Sequence, residues 1–254
     1  MNNLLKVSAK ESRALQLLKQ LIPRYSVVHS FLLFDGNLEA GLSADERRVI
    51  AHTNKYVIYE FWKCVQQDPD RVATIVEHFQ PIEDVNIFHL LQENWARYPD
   101  PFMRSAIFLL LNRYSTDGQI SHGVFNAEAY RPTQLVNLRR TRLPNVHFTI
   151  DKGEDYLESM TNIEGPADYI FLPVFSYSLN LLEEGRAQGL EETKVHHKKL
   201  KQWVDATDQK VILLYHNIAA VACLYEGYNM YYIDQWGRHV ESGENATEIL
   251  IANF

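Results

Sequence analysis

Short β-rich runs alternate with segments of helical period along most of the chain, and this alternation constrains the fold more than any other feature. The runs "SVVHSFLLF" (26–34), "RVIA" (48–51), "VHFTI" (146–150), "DYIFLPVF" (168–175), "KVILLYH" (210–216), "NMYYID" (229–234) and "EILIANF" (248–254) read as strands. Helical segments at 8–21, 54–66, 151–160, 191–205 and 217–226 separate most of them, and Gly227 suits the left-handed residue that closes the last. The order predicts an α/β fold with a mostly parallel sheet. Between 67 and 145 the strands vanish, and "DRVATIVEHF", "EDVNIFHLLQENWARY" and "PFMRSAIFLLLNRY" each space apolar residues by three and four. A helical insertion over 67–145, in an α/β core of 1–66 and 146–254, is therefore expected. Without a repeat or a long Pro/Gly/Ser linker, it is expected to pack on that core.

With 254 residues, 46% hydrophobic and 22% charged, the chain can bury a sizeable core. A net charge of −7 argues against a surface given over to nucleic acid, so any DNA affinity must be local. Cys64 and Cys223 lie far apart in apolar helical patterns, which predicts buried, reduced thiols. The first 25 residues lack a continuous apolar stretch, and no run approaches the roughly eighteen residues of a membrane span. A soluble, cytoplasmic protein without a membrane partner is expected. Nucleophile elbow, phosphate loop and Cys/His zinc spacing are all missing, so no metal ligands are expected. Adjacent His196 and His197 point about 100° apart on a helix and are expected at the surface. The tyrosines of "GYNMYYIDQW" are expected to pack a sheet face.

Read with several local phrases, the order of elements resembles the Dam-type DNA adenine-N6 methyltransferases. "RVIAHTNKYVIYEFWKCVQQDPDRV" resembles the family's second strand and its aromatic helix, and "FLLLNRYSTDGQISHGVFNAEAYRP" its Leu-Asn-Arg segment and Phe-Asn phrase in the target-recognition region. "DYIFLPVF" takes the place of the strand that ends in Asp-Pro-Pro-Tyr, while "KVILLYHN", "LYEGYNMYYIDQWGR" and "TEILIANF" fit the last three strands. The resemblance covers nearly the whole chain. It implies a Rossmann-type methyltransferase sheet with an antiparallel last strand, and a target-recognition role for 67–145.

Carried over residue by residue, the family's functional positions are occupied by other groups. Its Lys-Trp-x-Gly-Gly-Lys phrase corresponds to "KVSAKES", without Trp or either glycine. Its Phe-x-Gly-x-Gly cofactor turn corresponds to "FLLFDG", where Leu33 and Asp35 take the glycine positions; a shifted turn using Gly36 and Gly41 is the alternative. The acid that closes the second strand is replaced by His52 or Thr53. Asp-Pro-Pro-Tyr becomes Leu172, Pro173, Val174 and Phe175. Leu172 cannot accept the hydrogen bond by which the family's Asp activates the adenine amino group, and a stranded buried donor costs about 1–3 kcal/mol. Asp168, at the other end of the strand, is no substitute.

These replacements predict a catalytically degenerate relative that acts by binding, without a cofactor, on DNA, a protein partner or a second copy of itself. The alternative is an active enzyme that uses S-adenosylmethionine through displaced motifs. The source expected from the resemblance is a bacterium or a phage. For a DNA surface, the resemblance points to Arg113, Arg131, Arg139, Arg140 and Arg142; "HHKKLK" (196–201) is a second basic cluster, and a solvated face explains either equally well.

Overall fold

The computed structural model describes residues 4–6, 12–116, 118, 120, 123–152, 156–175 and 195–254. Their contacts divide into two compact units, one holding 12–54, 144–175 and 195–254, the other 4–6 and 55–143.

Among the described residues of the first unit, eight strands form one sheet: β1 (Val27–Ser30), β2 (Arg48–Thr53), β3 (Val146–Ile150), β4 (Tyr169–Phe175), β5 (Val211–His216), β6 (Asn229–Asp234), β7 (His239–Val240) and β8 (Ala246–Ala252). Their order across the sheet is β3-β2-β1-β4-β5-β8-β6-β7. The first five are parallel, and β8 runs antiparallel between β5 and β6. This is the α/β, Rossmann-like arrangement of methyltransferase folds, with the expected antiparallel strand in its expected place. Helices α1 (Leu15–Leu21), α2 (Asn37–Ser43), α8 (Tyr156–Thr161), α9 (His197–Ala206) and α10 (Ala219–Leu224) also belong to this unit.

Parallel strands are covered on both faces, and their sequences are correspondingly apolar throughout. β4 is buried from Tyr169 to Val174 and β5 from Val211 to Tyr215. Pro173 sits inside β4, where a ladder hydrogen bond would ordinarily be lost. Phe171 turns its carbonyl to β1 and accepts from Phe31 N at 3.0 Å, so by the strand's two-residue alternation Pro173 faces the same side, beyond β1's last pair. Its missing N–H has no strand to serve. On the opposite side the register against β5 shifts between Pro173 and Phe175. One face of the sheet buries a cluster that includes Phe31, Met160, Leu172, Leu200, Leu213, Tyr225 and Ile251.

The second unit is helical: α3 (Tyr56–Gln67), α4 (Pro69–His78), α5 (Val85–Asn94), α6 (Pro101–Tyr114) and α7 (Thr133–Arg140). Three helices start on an aspartate that accepts a backbone N–H: Asp68 from Arg71, Asp84 from Asn86 and Asp100 from Phe102. Pro69 and Pro101 follow two of these caps at the first helical position, where the absent N–H costs nothing. α6 is buried along almost its whole length, as its apolar circumference requires. α3 joins this unit because its buried face meets α6, Phe61 lying 5.4 Å from Phe108 between ring centroids.

Several strand bounds shift, the expected 48–51 extending to Thr53 and 248–254 becoming Ala246–Ala252, and β7 was not expected. The run 26–34 ends as a strand at Ser30, because Leu32 adopts a left-handed φ of 59°. The short edge strand β7 has too few residues to leave a period in the sequence.

Leu213, 1% exposed, pairs with Leu172 on one side and Ile251 on the other. Leu213→Ala is expected to cost about 2–5 kcal/mol in urea unfolding, with an unchanged slope against denaturant. A loss below about 1 kcal/mol would show that the sheet centre is loosely packed.

Candidate functional site

In open α/β sheets ligands bind beyond the carboxyl ends of the strands, where the strand order reverses. Here the reversal falls between β1 and β4. Just past β1, and on the last residue of β4, the backbone turns left-handed at large side chains, Leu32 at φ 59° and Phe175 at φ 57°. L-residues of this size rarely adopt that conformation, and such strain gathers at functional sites. Gly36, at φ 66°, takes the same turn without strain and opens α2.

The loop of residues 31–36 is tied back across neighbouring strand ends. Phe31 N donates to Phe171 O at 3.0 Å and Leu33 N to His52 O at 2.9 Å. Asp35 accepts from Asn37 N at 3.2 Å and Asn37 Nδ2 at 2.9 Å, which shapes the entry to α2. Leu33 and His52 are both buried. Of the two glycines proposed for a shifted turn, only Gly36 serves one. Gly41 lies within α2, where an added Cβ would meet Leu15 Cδ2 at 2.4 Å, so its smallness lets α1 and α2 approach.

Leu172, Pro173, Val174 and Phe175 are the last four residues of β4, as expected. Leu172 and Val174 point into the sheet's buried cluster, and only half-buried Phe175 reaches the end of β4. There its ring centroid is 5.9 Å from that of His216, which closes β5. Burial holds the His216 pKa below its ordinary value, favouring the neutral ring. Residues 176–194 follow, outside the described residues, as does most of "KVSAKES". Asp168 lies at the opposite edge of the sheet; it accepts from Val27 N at 2.7 Å and lines a cavity of about 460 Å³ with Arg24, Tyr25 and Lys210.

Two polar constellations beneath the strand ends escaped the sequence. His52 Nδ1 is 2.9 Å from Asp151 Oδ1, His52 Nε2 is 3.0 Å from His29 Nδ1, and His29 Nε2 is 3.2 Å from Pro166 O. Phe31 stacks on His52, ring centroids 4.2 Å apart. Burial, then His52, lowers the His29 pKa. In the second constellation Ser30 Oγ donates at 2.6 Å to Glu39, a buried carboxyl on α2 whose pKa burial raises to about 7. The sequence signal for both is parity: His29 and His52 share a sheet face, and Ser30 takes the other.

The arginines assigned to DNA separate. Arg113 is buried and donates Nε to Leu4 O at 2.6 Å, so it offers no cation at the surface. Arg139 pairs with Glu77 at 2.7 Å and Asp70 at 3.5 Å, while Arg142 donates to the carbonyls of Arg139 and Thr141. Arg131 and Arg140 are exposed. Two surface expectations reverse. His197 is buried, with Nδ1 3.1 Å from the Tyr215 hydroxyl, because α9 turns that side of its first turn to the sheet. Cys223 is exposed on α10, whose buried position is Val221, while Cys64 is buried as expected. Among the described residues no group of three or more His, Cys, Asp or Glu stands together as metal ligands, and no described helix is long and apolar enough to cross a membrane.

No protein-family model matches the chain, and no curated protein matches it. Among solved structures it is similar to a TehB-like SAM-dependent methyltransferase from Corynebacterium glutamicum, 9% identical over 96% of this chain and 87% of that one, with a TM-score of 0.40. An rRNA methylase from Streptococcus thermophilus is 10% identical over 96% and 97%, TM-score 0.36, and a predicted O-methyltransferase from Agrobacterium tumefaciens 8% identical over 96% and 79%, TM-score 0.38. The expectation that the chain takes no cofactor finds no support among these neighbours, the first of which is described as SAM-dependent.

The raised pKa of Glu39 has a definite sign in stability. The folded chain keeps a proton that the unfolded chain gives up above 4.5, so stability falls as pH rises from 4.5 to about 7 and is level above it. At about 1.4 kcal/mol per unit the loss approaches about 3 kcal/mol. Glu39→Gln keeps the acceptor for Ser30 and carries no charge. Its urea stability is expected to exceed wild type at about pH 8 and to lack that slope; parallel pH profiles for the two proteins would show that Glu39 ionises freely.

Proposed function

We propose that the chain is an S-adenosylmethionine-dependent methyltransferase with motifs displaced from the Dam-type arrangement, its cofactor held at the carboxyl ends of β1, β2 and β3. The observation that carries this reading is the reversal of strand order at β1 and β4, with left-handed bends at Leu32, Gly36 and Phe175 beside it. The binding-only expectation drew its support from four replaced motifs, of which the one at Leu172 falls on a side chain buried in the sheet's core cluster.

The groups at these strand ends suit a nucleoside cofactor. Gly36 allows close approach of the backbone, Asp35 is a half-buried carboxylate for hydroxyls, and Ile150, 38% exposed at the end of β3, offers an apolar wall for a purine. The bound cofactor supplies an electrophilic methyl group. On the protein's side, His216 and Phe175 flank the end of β4 and β5, where the acceptor would be oriented with a neutral imidazole beside it. The acceptor that the sequence resemblance proposes is adenine in DNA.

Calorimetry with S-adenosylmethionine is expected to give a Kd on the order of micromolar, and Gly36→Val, which puts a β-branched residue at φ 66°, to weaken it at least about tenfold. Labelled methyl transfer to unmethylated DNA then tests the acceptor. The absence of heat at about 1 mM cofactor would overturn the proposal.

A further inference from the structure

The line from Asp151 through His52 and His29 to Pro166 has three contacts, of 2.9, 3.0 and 3.2 Å, and each needs one hydrogen. The Pro166 carbonyl can only accept, so His29 carries its hydrogen on Nε2 and, when neutral, presents a lone pair at Nδ1. His52 must then donate from Nε2. A neutral His52 turns its remaining lone pair on the Asp151 carboxylate, and the two repel. Two neutral rings thus bring two hydrogens to three contacts. A third proton, shared between Asp151 and His52, completes the line.

The same residue supports the loop after β1. The Phe31 ring lies 4.2 Å from the His52 ring at an interplanar angle of 13°, and the His52 carbonyl accepts from Leu33 N at 2.9 Å. Between those two anchors stands Leu32, strained at φ 59°. Such a residue keeps its conformation only while its surroundings over-determine it. The charges that reach His29 come from His52 and Arg48 on β2 and from Asp151 just beyond β3, and its Nε2 meets the Pro166 carbonyl. Burial, then His52, and also Arg48 disfavour a charged His29, while the Pro166 carbonyl and Asp151 act the other way.

We infer that Asp151, His52 and His29 are positioning residues for the loop of residues 31–36, and that one shared proton couples the protonation of this line to the conformation of that loop. Loss of the proton opens one of the three contacts, the His52 ring shifts under Phe31, and the strain at Leu32 relaxes. The inference concerns the free chain and stands whether or not a cofactor binds.

The test is NMR of the full chain with ¹⁵N-histidine and methyl-labelled leucine between about pH 5 and about pH 9. The ring-nitrogen signals of the line and the Leu32 and Leu33 methyl signals are expected to move together, at one midpoint. Asp151→Asn is the decisive variant. Its side-chain amide can donate to His52 Nδ1, so two neutral rings then satisfy all three contacts with no extra proton. The loop signals of Asp151→Asn are expected to move by less than about a fifth of the wild-type amplitude over the same range. Leucine signals that stay still while the ring nitrogens titrate in wild type would overturn the inference, as would ring-nitrogen signals that stay still throughout. Undiminished loop titration in Asp151→Asn would do the same.

Discussion

The parallel pairing of β1 with β4, in a sheet whose order runs outward from that pair in both directions, is the constraint on which the rest of this structure depends. Once the crossovers leave for opposite edges, the carboxyl ends of β1 and β4 are left uncovered by either of them, and a crevice forms there by topology. Everything distinctive about the site lies within a few residues of that crevice. The loop after β1, the bend at Phe175, the stacked Phe31 and His52, and the buried pair of Ser30 and Glu39 all answer to it.

A sheet buried on both faces tolerates polar side chains only where each finds a partner. Arg47 illustrates the rule away from the site: it is 2% exposed and donates to the carbonyls of Ile22 and Lys19 and to Asp45. Near the site the partners are titratable themselves. His29 and His52 lean on each other and on Asp151, and Glu39 has a serine where a cation would neutralise it fully. Such groups make the region around β1 sensitive to protons. The antiparallel insertion of β8 contributes packing: Ile249, Leu250 and Ile251 are all buried.

Much of the fold was legible because periodicity is a local property. "VHFTI" and "NMYYID" become strands over the same residues that the sequence marks, and the helical character of "PFMRSAIFLLLNRY" is set by its own apolar spacing and by the Asp-Pro pair before it. The site was less legible, for a geometrical reason. "LPVF" closes β4 at Phe175 as expected, but only the packing of the sheet shows that Leu172 and Val174 lie in its buried cluster. The cluster "LRRTR" reads as uniform positive charge until Glu77 and Asp70, from another helix, meet Arg139.

By itself, then, the sequence determined which segments are strands and helices and that the sheet is mostly parallel, because apolar period and turn residues act over a few neighbours at a time; the antiparallel last strand was what the family resemblance implied. Only the tertiary structure decided that His29, His52 and Asp151 meet, that Glu39 is buried under Ser30, and that Arg113 and His197 face inward. Those meetings join residues separated by up to 122 positions, from His29 to Asp151, through strand register. Register is fixed by pairing across the whole sheet, and no local pattern encodes it.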